Sequence, residues 1–169
     1  MSFAVRAAAP ADVDELAALE AQARAALLPN RGGAAWLRDH PPIGDGPRWA
    51  TLIERDWVWV ATIDALVVGY LQLALDDDVA RVRQVFVRPE ARGLGFGDDL
   101  LGAAMEHARL SGCAAIETEA LPGDRDTKNL YERAGITARL LVLRRNLDTA
   151  EAPGTPNAGT PGTGAGRAD

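Results

Sequence analysis

Three glycines at alternating positions, Gly93, Gly95 and Gly97, form the pattern in this sequence that points most directly to chemistry. They follow an apolar run that ends at Val87 and precede a segment whose apolar residues recur at helical spacing. A loop in this position directs several backbone N–H groups at one point, and the positive end of the helix dipole adds to their attraction for anions. Because glycine carries no side chain, a diphosphate can approach these amides closely. The spacing therefore predicts an anion-binding loop.

Two other glycine-loop motifs do not match this sequence. The dinucleotide fingerprint G-x-G-x-x-G, started at Gly93, requires glycine at position 98, where the chain has Asp98. A nucleoside triphosphate loop requires Lys followed by Ser or Thr, and no such pair follows the glycines. The anion-binding loop therefore belongs to another class.

The segments around the loop predict alternating strands and helices. Two β-branched and aromatic runs separated by Asp64-Ala65 predict a hairpin, and Asp12 with Glu15 predicts the capped start of a helix. The predicted strands cover 3–6, 57–63, 66–75, 79–87, 114–121 and 136–145. The predicted helices cover 12–28, 34–39, the segment from the glycine loop to 112, and 124–133. The order β-α-α-β-β-β-α-β-α-β predicts an α/β fold in which a mixed sheet carries helices on both faces.

Composition indicates one globular domain. The chain has 169 residues, of which 47% are hydrophobic and 25% charged, as is typical of soluble proteins. No run approaches the roughly 20 apolar residues that cross a bilayer. The N-terminus carries no signal-peptide pattern, so we expect a cytoplasmic protein without a membrane partner. Because Gly, Pro and Thr dominate the end of the chain, we expect a domain over 1–148 and a disordered tail over 149–169.

Charge and cysteine content exclude further classes. The net charge of −6 would repel nucleic acid, so none is expected as a partner. Cys113 is the only cysteine, which excludes a disulfide within the chain and leaves a thiolate metal cluster without ligands. We therefore expect no metal.

The region around the glycine loop resembles a known family. Residues 85–97 read Val-Phe-Val-Arg-Pro-Glu-Ala-Arg-Gly-Leu-Gly-Phe-Gly. They resemble motif A of the GNAT superfamily of N-acetyltransferases, whose signature Q/R-x-x-G-x-G/A is met by Arg92, Gly95 and Gly97. Residues 129–136, Asn-Leu-Tyr-Glu-Arg-Ala-Gly-Ile, are similar to the L-Y-E-x-x-G-F element that follows the fifth strand in that family. The chain is identified as a member of the superfamily on these two motifs and the matching element order.

The resemblance implies a GNAT-like sheet that is splayed beside its fourth strand, 79–87. It also implies that the protein uses acetyl-CoA or another short acyl-CoA as co-substrate. The pantetheine arm would lie along that strand and the diphosphate on the glycine loop. The acceptor would be the amine of a small molecule, peptide or protein, which attacks the thioester directly while Tyr131 protonates the departing thiolate. The residues implied for cofactor binding are Val85, Phe86, Val87, Arg92, Gly93, Leu94, Gly95, Phe96, Gly97, Asp98 and Lys128.

The resemblance does not fix the general base. Many family members carry a glutamate on the fourth strand, where this chain has Arg81, Arg83 and Gln84. Glu117 and Glu119 share one face of the predicted fifth strand and are the remaining candidates for the catalytic base. Solvated surface carboxylates would have the same pattern.

Three further residues allow both a functional and a structural interpretation. Asp98 opens the helix after the loop, where it either faces the diphosphate or only caps the helix. Lys128 either meets a CoA phosphate or lies on an exposed helix surface. Tyr131 is either the acid or a packed aromatic side chain of an amphipathic helix.

The sequence thus predicts an enzyme, an acyl-CoA-dependent N-acetyltransferase. The alternative is a non-catalytic acyl-CoA-binding or regulatory module that keeps the loop and lacks the base. Assembly into a homodimer is compatible with either. The resemblance assigns the choice of acceptor to the loop between the first helices, here 29–47. No residue pattern in this loop indicates a particular acceptor.

Overall fold

Alternating β-branched residues form the central sheet, whose pairing follows the predicted hairpins. The computed structural model describes residues 1–44 and 46–143, and within them it contains five strands. These are β1 (Phe3–Ala7), β2 (Val58–Ile63), β3 (Leu66–Asp76), β4 (Val79–Val87) and β5 (Ala115–Thr118). The strands lie side by side in that order. Neighbours are antiparallel from β1 to β4, whereas β4 and β5 are parallel.

Two aspartates make the tight turns of the sheet. Asp64 lies between β2 and β3 with a φ of 48°, and Asp77 lies between β3 and β4 with a φ of 51°. Aspartate adopts this left-handed conformation more readily than most residues, because its short side chain can hydrogen-bond locally. Such tight turns make β2, β3 and β4 neighbours in the sheet.

A β-bulge changes the facing of side chains within β4. The register with β3 shifts between Gln72 and Leu73, so that Arg83 is an extra residue in β4. As a result, Val82 and Val85 pack against the same core cluster although they are three positions apart.

Helices cover both faces of the sheet, as the sequence predicts. They are α1 (Val13–Leu27), α2 (Gly33–Asp39), α3 (Gly46–Glu54), α4 (Phe96–Leu110) and α5 (Arg125–Arg133). On one face, here called the α1 face, α1 and α3 bury Leu16, Leu19 and Trp49. On the other, the α4 face, Leu100 and Ala104 have no exposed surface. Burying a large apolar side chain is worth roughly 1.5–3 kcal/mol, so the two cores hold the sheet from both sides.

β4 and β5 separate before β4 ends. Their last pair is Val82 with Thr118. β4 nevertheless continues to Val87, which is still paired with Gly69 of β3. The opening between the second half of β4 and the segment after β5 is here called the β4–β5 gap. The sheet is therefore splayed beside its fourth strand, as expected.

Two of the elements that the structure contains differ from the sequence prediction. The helix α3 is not predicted, because the prolines and glycines before it predict a loop. Trp49, Leu52 and Ile53 nevertheless have helical spacing. β5 is shorter than the predicted strand 114–121, because its pairing with β4 ends where the gap begins.

The predicted final strand, 136–145, is absent over 136–143, and 144–145 lie outside the described residues. Side chains 140–143 are apolar and exposed. β-propensity alone does not make a strand, since a strand needs a partner for its backbone hydrogen bonds. Residues Met1–Thr137 form one compact unit, and a second begins at Ala138. The predicted tail 149–169 lies outside the described residues, so the boundary at 148 stays a prediction.

Among residues 1–44 and 46–143, none of the helices has the length and apolar character of a membrane span.

Two glycines test the packing of the sheet. A Cβ added at Gly69 would lie 2.8 Å from the carbonyl oxygen of Phe86, whereas one added at Gly102 in α4 would meet nothing within 4 Å. We expect Gly69→Ala to lower the free energy of unfolding by about 1–3 kcal/mol, because β3 and β4 must move apart. The control, Gly102→Ala, should raise it by about 0.5–1 kcal/mol through helix propensity. Chemical denaturation measures both, and similar effects of the two changes would contradict the close approach of the strands.

Candidate active site

The glycine loop leads directly from β4 into α4. Gly93 and Gly95 have φ values of +79° and +88°, which side chains rarely permit. A Cβ at either position would meet no protein atom within 4 Å, so the rim of the loop is open. A Cβ at Gly97 would instead lie 3.3 Å from Leu130, so this glycine serves the packing of α4 against α5. The first two glycines therefore keep the amides accessible.

Arg92 ties the loop back to the end of β4. Its Nε donates a hydrogen bond of 3.1 Å to the carbonyl oxygen of Val87. The guanidinium also lies 6.0 Å from the ring centroid of Phe86 and 3.5 Å from a carboxylate oxygen of Asp126. A positive charge thus lies beside the glycines.

The second half of β4 presents backbone groups to the gap. The N–H of Arg88 donates to the carbonyl oxygen of Val68 in β3, at 2.8 Å. Backbone groups alternate in direction along a strand, so those of Phe86 also point toward β3. The N–H and C=O groups of Val85 and Val87 therefore point away from β3 and toward the gap, where β5 offers no partner.

Tyr131 lies on the α4 face beside the end of β5 and is 6% exposed. Burial raises the pKa of its hydroxyl to about 12, with a smaller raising effect from the charge of Asp124. A hydrogen bond with the Thr118 side chain acts in the opposite direction and lowers this pKa. The hydroxyl therefore keeps its proton at neutral pH and can donate it.

The two candidate bases lie in different surroundings. Glu117 is paired with Arg81 in the part of the sheet where β4 and β5 are still hydrogen-bonded. Glu119 follows the last residue of β5 and therefore lies at the start of the gap. Its Oε2 accepts a hydrogen bond of 2.8 Å from the Trp36 indole and lies 3.4 Å from Nε2 of His40.

Asp98 and Lys128 both lie in ion pairs. The two carboxylate oxygens of Asp98 accept hydrogen bonds from Arg133, at 3.1 and 3.0 Å. Lys128 lies 3.5 Å from Glu132 one helical turn further along α5. The charge of Asp98 is therefore balanced by a residue that the sequence patterns do not identify, because 35 positions separate the two.

A buried polar network on the α1 face is also missed by the sequence analysis. It joins Glu20 of α1 to Gln84 of β4 and, through it, to Tyr70 of β3. One signal was available: Glu20 lies four residues after Leu16, within the apolar stripe of α1, and a charged residue on a buried stripe is unusual.

Within the described ranges 1–44 and 46–143, no group of three His, Cys, Asp or Glu side chains could hold a metal ion.

The chain belongs to the acetyltransferase (GNAT) family, whose model matches residues 27–136. A mycothiol acetyltransferase from Stackebrandtia nassauensis is 32% identical over 158 residues, which cover 92% of this chain and 49% of that protein. The chain thus spans about half the length of this relative.

Solved structures share the fold. PaiA N-acetyltransferase from Thermoplasma acidophilum, in complex with coenzyme A, matches with a TM-score of 0.63 at 16% identity. The match covers 79% of this chain and 89% of the PaiA chain. The aminoglycoside N-acetyltransferase AAC(6')-Iy, in complex with a bisubstrate analog, matches with a TM-score of 0.60 at 17% identity. The match covers 86% of this chain and 99% of the AAC(6')-Iy chain.

Titration of the tyrosines tests the burial of the site. Tyr131 and Tyr70 are the only tyrosines in the sequence, and burial raises the pKa of both. We expect the ultraviolet absorbance of tyrosinate to be missing at pH about 10, where a free tyrosine is half ionised. The unfolded chain ionises first, so the free energy of unfolding should fall as pH rises from about 10 toward 12.

Tyr131→Phe is the control for this titration, because it should remove the ionisation step near pH 12. Half ionisation of the folded protein near pH 10 would contradict the burial of both hydroxyls.

Proposed function

We propose that this chain transfers an acetyl or other short acyl group from acyl-CoA to a primary amine by direct attack of the amine on the thioester. The observation that carries this proposal is the convergence of the glycine loop and the unpaired edge of β4 on one gap. The loop offers amides to a diphosphate. The strand edge offers alternating N–H and C=O groups to an extended arm that contains amides. Acyl-CoA has both parts.

The proposed cofactor-binding residues divide between these two features. Val85 and Val87 would bind the pantetheine arm through their backbone groups, with Phe86 and Arg92 beside them. The amides from Gly93 to Gly97 would bind the diphosphate. Arg133 balances the negative charge of Asp98, so the positive N-terminal end of the α4 dipole remains free to attract anions. Lys128 can exchange its exposed partner Glu132 for a CoA phosphate at little cost, because such surface pairs are worth about 0–1 kcal/mol.

Two groups at the gap are proposed to move protons. Glu119 takes a proton from the acceptor ammonium, and the amine lone pair then attacks the thioester carbonyl carbon. The carbon–sulfur bond breaks, and Tyr131 donates its proton to the departing thiolate. The attacking nitrogen loses its second proton to water as the amide forms, and Tyr131 regains a proton from water. Glu117 is the less suitable base, because its carboxylate is bound to Arg81.

Two assays test the function in sequence. A thermal-shift titration with acetyl-CoA tests binding, and release of free thiol tests turnover with amino acids, polyamines, peptide N-termini and aminoglycosides. Aminoglycosides are included because AAC(6')-Iy shares the fold. Absence of any thermal shift would overturn the proposal.

A second candidate function, a non-catalytic acyl-CoA-binding module, is favoured by one observation. β4 carries Arg81, Arg83 and Gln84 and no carboxylate, so the strand itself supplies no base. A thermal shift with acetyl-CoA, but no thiol release with any amine, would support this second candidate.

The first functional prediction concerns Gly95. We expect Gly95→Val to weaken acetyl-CoA binding by more than about tenfold, because the branched side chain would cover the amides that bind diphosphate. Gly112→Val is the matched control: Gly112 has a φ of +81° and its Cβ would also meet nothing within 4 Å, but it lies beyond the far end of α4. Calorimetry on both variants separates backbone strain from lost binding. Equal affinities would contradict the role of the loop.

The second functional prediction concerns Tyr131. Tyr131→Phe keeps the ring and its packing, so acetyl-CoA affinity should survive while turnover falls by about 10²-fold, the lower end of general acid catalysis. Steady-state kinetics with an acceptor from the amine panel measures this, and full turnover in the variant would assign the proton to another donor.

A further inference from the structure

A buried carboxylate on the α1 face takes no part in the proposed chemistry. Glu20 is 2% exposed. Its Oε1 accepts hydrogen bonds of 2.8 Å from the Ile43 amide and from Nε2 of Gln84, and its Oε2 accepts one of 2.9 Å from the Gly44 amide. A buried charge is tolerated when it is fully hydrogen-bonded, and these three donors supply that condition.

The network continues into the sheet. The hydroxyl of Tyr70 donates to Oε1 of Gln84 at 2.6 Å, which leaves the amide nitrogen of Gln84 to donate to Glu20. Burial, with a smaller effect from the charge of Glu20, raises the pKa of Tyr70, so this hydroxyl remains a donor. The direction of every hydrogen bond in the network is therefore fixed.

Glu20 holds one end of a segment whose other end rests beside β5. This segment, residues 33–44 and here called the strap, consists of α2 and the residues that follow it. Near its start, Trp36 donates to Glu119, which follows β5. In its middle, Arg24 of α1 donates to the carbonyl oxygens of Leu37 and His40. At its end, the strap meets Glu20 and thereby Gln84 of β4.

The strap therefore runs from the β5 side of the gap to the β4 side, over the α1 face. Tyr131, the proposed acid, lies on the opposite face. In the proposed acyl transfer, an acceptor that approaches from the face opposite Tyr131 would pass beside the strap.

We propose that Glu20 is a positioning residue that fixes the strap and the side chain of Gln84 over the β4–β5 gap, and thereby shapes the acceptor site. This inference rests on the proposed acyl transfer. Glu20 does not touch either substrate; it acts through the residues that it holds.

The two ends of the strap differ in strength. Glu119 is 67% exposed, so water competes for its hydrogen bonds, whereas Glu20 is buried. The Glu20 end is the fixed one, and the end at Glu119 can exchange its partners for an incoming ammonium group.

Glu20→Gln tests the proposal, because it keeps the shape of the side chain and replaces one acceptor oxygen with a donor. Three donors point at Glu20, so at least one of them then faces another donor. We expect faster hydrogen exchange at the Ile43 and Gly44 amides, unchanged acetyl-CoA affinity, and a rise of about tenfold in the KM for the acceptor amine with little change in kcat.

Asp12→Asn is the matched control. Asp12 is also buried, at 6% exposed, and it too accepts three hydrogen bonds, two from Arg6 and one from the Ala9 amide. None of these partners belongs to the strap. This variant should lose stability and leave both the exchange of the strap amides and the acceptor KM unchanged.

The outcomes are distinguishable. Unchanged exchange at Ile43 and Gly44 in Glu20→Gln would overturn the anchoring role, with or without an active enzyme. Faster exchange with an unchanged acceptor KM would overturn the positioning role. A wild-type protein that acetylates no amine would instead refute the proposed acyl transfer, while the exchange data would still decide the anchor. If Glu20→Gln does not fold, Glu20→Asp is the alternative, because it keeps the charge on a shorter side chain. It should show the same increase in hydrogen exchange at the Ile43 and Gly44 amides.

Discussion

The separation of β4 from β5 is the constraint on which the site depends. Within a sheet nearly every backbone N–H and C=O is paired, and leaving a buried one without a partner costs about 1–3 kcal/mol. Here Val85 and Val87 turn their backbone groups toward the gap, and only the Val87 carbonyl has a side-chain partner among the described residues, Arg92. Such an edge stays in place because β3 pairs with β4 along its whole length and helices pack on both faces.

Charge around the gap is arranged in pairs that are weak enough to exchange. Arg92 and Lys128 each lie beside an exposed carboxylate of α5. Exposed pairs of this kind contribute about 0–1 kcal/mol, so a phosphate can replace the carboxylate at small cost. The proposed anion site is therefore compatible with a chain whose net charge is −6.

The local parts of this architecture were predictable from sequence, and the long-range parts were not. The turns at Asp64 and Asp77, the strand 79–87 and the glycine loop follow from neighbouring residues. The pairing of Asp98 with Arg133 does not, because it depends on how α4 and α5 pack. The gap itself was expected only from family resemblance, since no residue pattern marks the point where two parallel strands part. The sequence did show Glu20 within an apolar stripe, but its three hydrogen-bond donors come from two distant segments of the chain, the strap and β4.

The bulge at Arg83 has a consequence for how this strand can evolve. Side chains alternate between the two faces on each side of the bulge, and the extra residue offsets this alternation by one position. Val82 and Val85 therefore share one face, while Phe86 packs on the other. Substitution of Arg83 leaves this phase intact. Deletion of the same residue would restore simple alternation and leave Val82, Val85 and Phe86 on their present faces, because Arg83 is the residue without a partner in β3. The strand can therefore change its length by one residue at this position without moving a core side chain to the other face.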